Sequence, residues 1–165
     1  MDRLILLRHG KAEADSPGGD DFDRRLTPRG VAESSAMAER LADMGFAPDV
    51  ALVSSAARTC GTWDALAPAF PNAEARFDRS LYLADAASLR EAAEAAGAEC
   101  GSVIVVAHNP GIQDLVVRLL QEGSAPATLI ARAQRMFPTA AAAVFLIDHN
   151  GRPSFDGLFI PERGG

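Results

Sequence analysis

A three-layer α/β/α sandwich with a mostly parallel central sheet is the fold this sequence predicts, on three observations. Continuous apolar runs at residues 4–7, 50–53 and 103–106 have the composition of central strands buried on both faces. Helical patterns separate these runs, as the crossovers of a parallel sheet require. Two later runs, 141–147 and 154–160, are joined by Asp148-His149-Asn150-Gly151. Asn-Gly is a strong hairpin signal, so these two are expected to pair antiparallel.

The elements follow in order. After the first strand, Thr27-Pro28 offers an N-cap followed by proline at the first helical position, and Gly45 supplies the stop. Met37, Leu41 and Met44 then share one face at i, i+4 and i+7. The second strand leads into a helix expected from near Ser55, with Trp63, Leu66 and Phe70 on its apolar face. A third helix is expected over about residues 86–96. Asn109-Pro110 opens a fourth, whose stripe of Ile112, Leu115, Val116, Leu119 and Leu120 is the clearest in the chain. Residues 128–136 read as a short helix or a loop. No repeat, linker or composition break divides the chain, so residues 1–165 are expected to form one domain, long enough to shield roughly 70% of its surface.

Bulk properties narrow the function. A net charge of −6 opposes general binding to nucleic acid or anionic membranes, though it leaves room for a local cationic pocket. Cys60 and Cys100 are too few for a metal framework and fit a reducing compartment. The N-terminal apolar run is only four residues long before Arg8 and His9 interrupt it, and the longest later one, 140–147, is far below the ~20 a membrane helix needs. A cytoplasmic monomer is the default expectation.

The chemistry gathers at strand ends. The first strand runs into Arg8-His9-Gly10, the second into Ser54-Ser55 with Arg58 in the next helical turn, and the fourth into Ala107-His108-Asn109-Pro110. Ligands of open α/β sheets bind at the carboxyl ends of strands, so parallel pairing would bring Arg8, His9, Arg58 and His108 into one crevice. Helix starts after Ser55 and Asn109 would add free N–H groups and partial positive charge. Such a set suits a tetrahedral anion. Each member has a bland alternative: Arg58 as a solvated helix residue, His108 as a cap. It is the shared topological position that favours a site. His149, in a polar turn, is read as exposed. Asp20, Asp21 and Asp23 match no metal-site spacing and are read as solvated loop charge.

The ordered set Leu7-Arg8-His9-Gly10, Ser54-Ser55-Ala56-Ala57-Arg58-Thr59 and Val106-Ala107-His108-Asn109-Pro110 resembles the histidine phosphatase (phosphoglycerate mutase-like) superfamily. The short chain, with Arg24-Arg25-Leu26-Thr27-Pro28-Arg29-Gly30, Ser80-Leu81-Tyr82 and Phe137-Pro138-Thr139, resembles its SixA-type phosphohistidine phosphatases. The resemblance implies a phosphoglycerate mutase-like fold and a phosphohistidine intermediate on His9. Arg8 and Arg58 would bind phosphoryl oxygens, and His108, protonated when phosphate is bound, would donate to the same group. Arg24, Gly10 and Asn109 would assist binding, although Arg24 reads equally as a loop charge. No metal or cofactor is called for.

One departure bears on the substrate. Larger members of the superfamily carry an acid after the third strand that protonates an alcohol leaving group. Here the corresponding stretch, 77–85, offers only Asp78 and Asp85. An alkoxide gains about 10²–10⁴-fold from such an acid, whereas an imidazole, with a pKa of ~6.5, leaves readily without one. Phosphohistidine in a partner protein is therefore the expected substrate. A small phosphate ester or anhydride is the alternative within the same chemistry. A non-catalytic phosphate- or phosphoprotein-binding module with a relic site is the alternative outside it.

Overall fold

A computed structural model describes residues 1–162. Six strands form one sheet in the order β3-β2-β4-β1-β5-β6. They are β1 (Arg3–Arg8), β2 (Val50–Ser54), β3 (Glu74–Asp78), β4 (Ser102–Ala107), β5 (Ala142–Ile147) and β6 (Pro153–Phe159). β1 pairs parallel with β4, and β2 pairs parallel with both β3 and β4. β5 runs antiparallel to β1 and β6, and the Asn150-Gly151 turn joins the last two strands with Gly151 at φ 80°. Glycine takes that left-handed backbone without the clash a Cβ would bring. The sheet is therefore mostly parallel, with the expected antiparallel hairpin at one edge.

Alternation along β1 divides the core. Leu4 and Leu6 pack with Leu89, Ile112, Leu115 and Leu119, while Ile5 and Leu7 pack with Met37, Leu41, Trp63 and Leu66. One face thus carries α3 (Ala86–Gly97), α4 (Gly111–Glu122) and α5 (Ala127–Arg135), the other α1 (Pro28–Asp43) and α2 (Ala57–Leu66). The result is the three-layer α/β/α sandwich.

Local chemistry sets the helix limits. Thr27 caps α1 by accepting from the Gly30 N–H at 3.0 Å. α2 starts at Ala57, two residues after Ser55, and ends at Leu66, so Phe70 lies outside it. Pro68 explains that end: it lacks an N–H and its ring meets the carbonyl of the preceding turn. A 3-10 turn over Ala67–Ala69 follows, and Phe70 is still buried. The ambiguous stretch at 128–136 is helical as α5, with Ala133 as its one buried residue. Among the described residues no helix is long and apolar enough to cross a membrane.

The register positions the site. Arg8 lies opposite Ala107, and Val53 opposite Val106, so β1, β2 and β4 end level on one side of the sheet. His9 extends the pairing, donating its N–H to Ala107 O at 3.1 Å.

Candidate active site

The level strand ends open into a cavity of about 420 Å³, lined by Arg8, His9, Lys11, Asp21, Arg24, Arg58, His108 and Asn109 among others. Four cations and two histidines thus meet in a protein whose net charge is negative.

His9 is buried and its Nδ1 lies 2.7 Å from Gly10 O. A carbonyl can only accept, so Nδ1 carries the proton and Nε2 holds the lone pair. The Gly10 N–H donates to Thr62 Oγ1 at 3.0 Å, and the Thr62 hydroxyl donates to Arg58 O at 2.7 Å. That chain ties the turn bearing His9 to α2. A Cβ on Gly10 would lie 2.7 Å from both Gly30 O and Ser34 Oγ, so the turn admits no side chain there. Both backbone groups of Gly10 are thereby engaged within the protein.

His108 is buried, with Nε2 hydrogen-bonded to Ser54 Oγ at 2.8 Å and Nδ1 without a protein partner. Burial above all lowers both rings, His9 to about 4 against the opposing bond to Gly10 O and His108 to about 3, and the nearby arginines lower both further. The neighbouring ring adds to the effect on His108. Both are neutral at pH 7.

Arg8 donates to Phe137 O at 3.1 Å, and Asn109 Nδ2 donates to the same carbonyl at 3.0 Å and to Gln113 Oε1 at 3.2 Å. Arg58 is almost fully buried, at 3% exposure, and its Nε has no protein partner. Its Nη1 donates to Asp21 O at 2.8 Å and its Nη2 to Asp21 Oδ2 at 3.0 Å. Arg24 Nε donates to Asp21 Oδ1 at 2.9 Å, which brings Arg24 to the cavity rather than leaving it a loose loop charge.

Asp21, although exposed, is more than a solvated loop charge. It bridges Arg24 and Arg58, and also accepts from the Tyr82 hydroxyl. These bonds, the tyrosine's foremost, hold its carboxyl far below the usual range. Asp78 and Asp85 have a different occupation. Asp78 accepts from Ser80 N and Asp85 from Ser88 N, each at 2.8 Å, so both cap turns. Neither lines the cavity. His149 is exposed, as expected. Among the described residues no cluster of three or more His, Cys, Asp or Glu is placed to hold a metal.

Residues 4–82 match the model of the histidine phosphatase superfamily (branch 1). The fold also superposes on a candidate phosphohistidine phosphatase, SixA from Agrobacterium tumefaciens, with a TM-score of 0.84 and 32% identity, over 97% of this chain and 98% of that one. The chain belongs to the histidine phosphatase superfamily. Within it, this histidine phosphatase is of the SixA type. The protein histidine phosphatase SixA solved with tungstate matches at a TM-score of 0.76 and 26% identity, over 94% of this chain and 95% of that one. A phosphoglycerate mutase from Plasmodium falciparum shares the fold at 18% identity, with a TM-score of 0.66 over 99% of this chain and 96% of that one.

Proposed function

We propose that this histidine phosphatase hydrolyses phosphohistidine in a partner protein through a phosphohistidine intermediate on His9. The observation that carries the reading is the His9 tautomer: with Nδ1–H given to Gly10 O and the ring neutral at pH 7, Nε2 is free to attack phosphorus. The bond from Nε2 to phosphorus forms as the bond from phosphorus to the substrate imidazole breaks, and the departing imidazole takes its proton from solvent. Water then attacks phospho-His9, releasing inorganic phosphate and restoring the ring.

Arg8, Arg24 and Arg58 hold the equatorial oxygens of the passing phosphoryl group, fixed in place before the reaction begins. His108 lines the cavity, and its ring gains a proton more easily once the phosphate's charge is beside it. Among the described residues no carboxylic acid is placed to protonate an alkoxide: Asp21, the carboxylate lining the cavity, is ionised, and Asp78 and Asp85 cap turns. That favours a nitrogen leaving group over an ester oxygen. Substrates tested in parallel decide the matter: a panel of phosphohistidine proteins against small phosphate esters, with His9→Ala as the blank. Rapid turnover of the proteins and feeble turnover of esters even at saturation is expected. Efficient ester hydrolysis would move the substrate class.

A further inference from the structure

The carboxylate of Asp21 sits where an anion would sit. One oxygen accepts from Arg24 Nε, the other from Arg58 Nη2 and Tyr82, while the backbone carbonyl of the same residue accepts from Arg58 Nη1. A guanidinium has five N–H donors. Asp21 takes one on each terminal nitrogen, leaving one on each of Nη1 and Nη2 for a ligand, while the Nε–H is buried without a protein partner. Because Arg58 is almost entirely buried, these two bonds fix the plane in which the remaining donors point.

The turn that carries Asp21 is itself clamped. Tyr82 meets Phe22 edge-on at 4.9 Å between ring centroids, and the Arg79 guanidinium lies 4.1 Å over the Phe22 ring. Tyr82 also stands edge-on to His108 at 5.4 Å. One tyrosine thus touches the carboxylate that aims Arg58 and the second histidine of the pocket.

We propose that Asp21, anchored by Tyr82, is a positioning residue for Arg58, and that its negative charge keeps the pocket's affinity for free phosphate low. This deepens the reading of the cavity as a phosphoryl site and rests on it. The carboxylate's charge acts selectively. The group in flight in a loose transition state is metaphosphate-like and carries about one negative charge, whereas free phosphate at pH 7 carries up to two. A fixed carboxylate at the pocket therefore opposes the product more than the transition state, which speeds release.

The test is calorimetric binding of inorganic phosphate and tungstate, alongside steady-state turnover, for the full chain and its Asp21→Asn, Asp21→Ala and Tyr82→Phe variants. Asp21→Asn keeps an oxygen to accept from Arg58 but loses the charge. It is expected to bind phosphate at least about fivefold more tightly, the effect of removing one partly screened charge, and to lose less kcat than Asp21→Ala. Asp21→Ala is expected to tighten phosphate similarly and to lose at least about tenfold in kcat, because Arg58 is no longer aimed. Tyr82→Phe should lose kcat in the same direction, with little further loss when combined with Asp21→Ala. A merely structural role would weaken binding and turnover together. Unchanged or weaker phosphate binding in both Asp21 variants, or wild-type kcat in Asp21→Ala, overturns the assignment. If the wild-type protein binds neither anion, the phosphoryl-site reading falls and this proposal with it; if it binds both and the variants match it, only the role of Asp21 falls.

Discussion

The imidazoles of His9 and His108 face each other across the cavity, 5.3 Å between ring centroids and tilted by 56°. They arrive from different strands, β1 and β4, and two protonated rings at that separation among arginines would repel. The pair is therefore held neutral, which leaves a lone pair on His9 Nε2 and makes the protein sensitive to acid.

Stability should fall on mild acidification. The folded protein refuses protons at His9 until about pH 4 and at His108 until about pH 3, whereas each unfolded ring accepts one near its ordinary 6.5. Stabilisation from the neutral rings is complete above pH 6.5 and is lost as pH drops towards those values, by up to about 1.4 kcal/mol per pH unit for each ring. Denaturant unfolding at pH 7, 6 and 5 measures it. His108→Asn is expected to flatten the slope, and an unchanged slope would contradict the depressed histidine.

Anion binding should draw protons in. A tetrahedral oxyanion next to His108 raises its affinity for a proton, so tungstate binding is expected to take up protons increasingly as pH falls from 7 to 5. Calorimetry in buffers of different ionisation enthalpy reads the uptake directly. Zero uptake across that range would leave His108 out of anion binding.

Removing Arg58 should damage the transition state. Arg58→Ala is expected to cost at least ~2 kcal/mol in kcat/KM, about thirtyfold, as the loss of a preorganised charged donor does. Arg58→Lys should recover little, since an ammonium cannot hold Asp21 through two nitrogens and still present further donors in a plane. Near wild-type kcat/KM in the alanine variant would remove Arg58 from the chemistry.

The turn beneath the nucleophile should tolerate no side chain. Gly10→Ala forces a Cβ to 2.7 Å from Gly30 O and Ser34 Oγ. A cost of about 1–3 kcal/mol in stability is expected, with turnover falling as His9 shifts. A variant as stable and active as wild type would show that the turn relaxes freely.

How far the sequence revealed this depended on the range of each interaction. The buried strands and their reactive ends were legible because apolar runs and the residues just after them are contiguous, and parallel pairing alone brings Arg8, His9, Arg58 and His108 together. The Asn150-Gly151 hairpin was legible for the same reason. Asp21 was not. Its partners Arg58 and Tyr82 lie 37 and 61 residues away, and three aspartates in a polar stretch look like solvated charge. The hint available was local: Arg24, three residues on, can reach back to Asp21, and the motif that carries Arg24 to the cavity brings Asp21 with it. Spacing alone puts Phe70 on α2, but Pro68 ends that helix earlier while tertiary packing still buries the ring. Asp78 and Asp85 could be weighed as acids from sequence; only their bonds to Ser80 and Ser88 reveal them as caps.

Capping by those two carboxylates has its own consequence. Asp78→Asn and Asp85→Asn are each expected to keep phosphohistidine turnover within about twofold of wild type, since neither reaches the reacting atoms and general acids are worth far more than that. A loss of a hundredfold in either would restore it as the acid.

Rapid acid- and base-quench trapping with a ³²P-phosphohistidine protein tests the nucleophile most directly. The wild-type chain should carry label that is acid-labile and base-stable, forming and decaying within turnover, and His9→Ala should carry none. Label that resists acid, or that persists undiminished in His9→Ala, would contradict attack by His9.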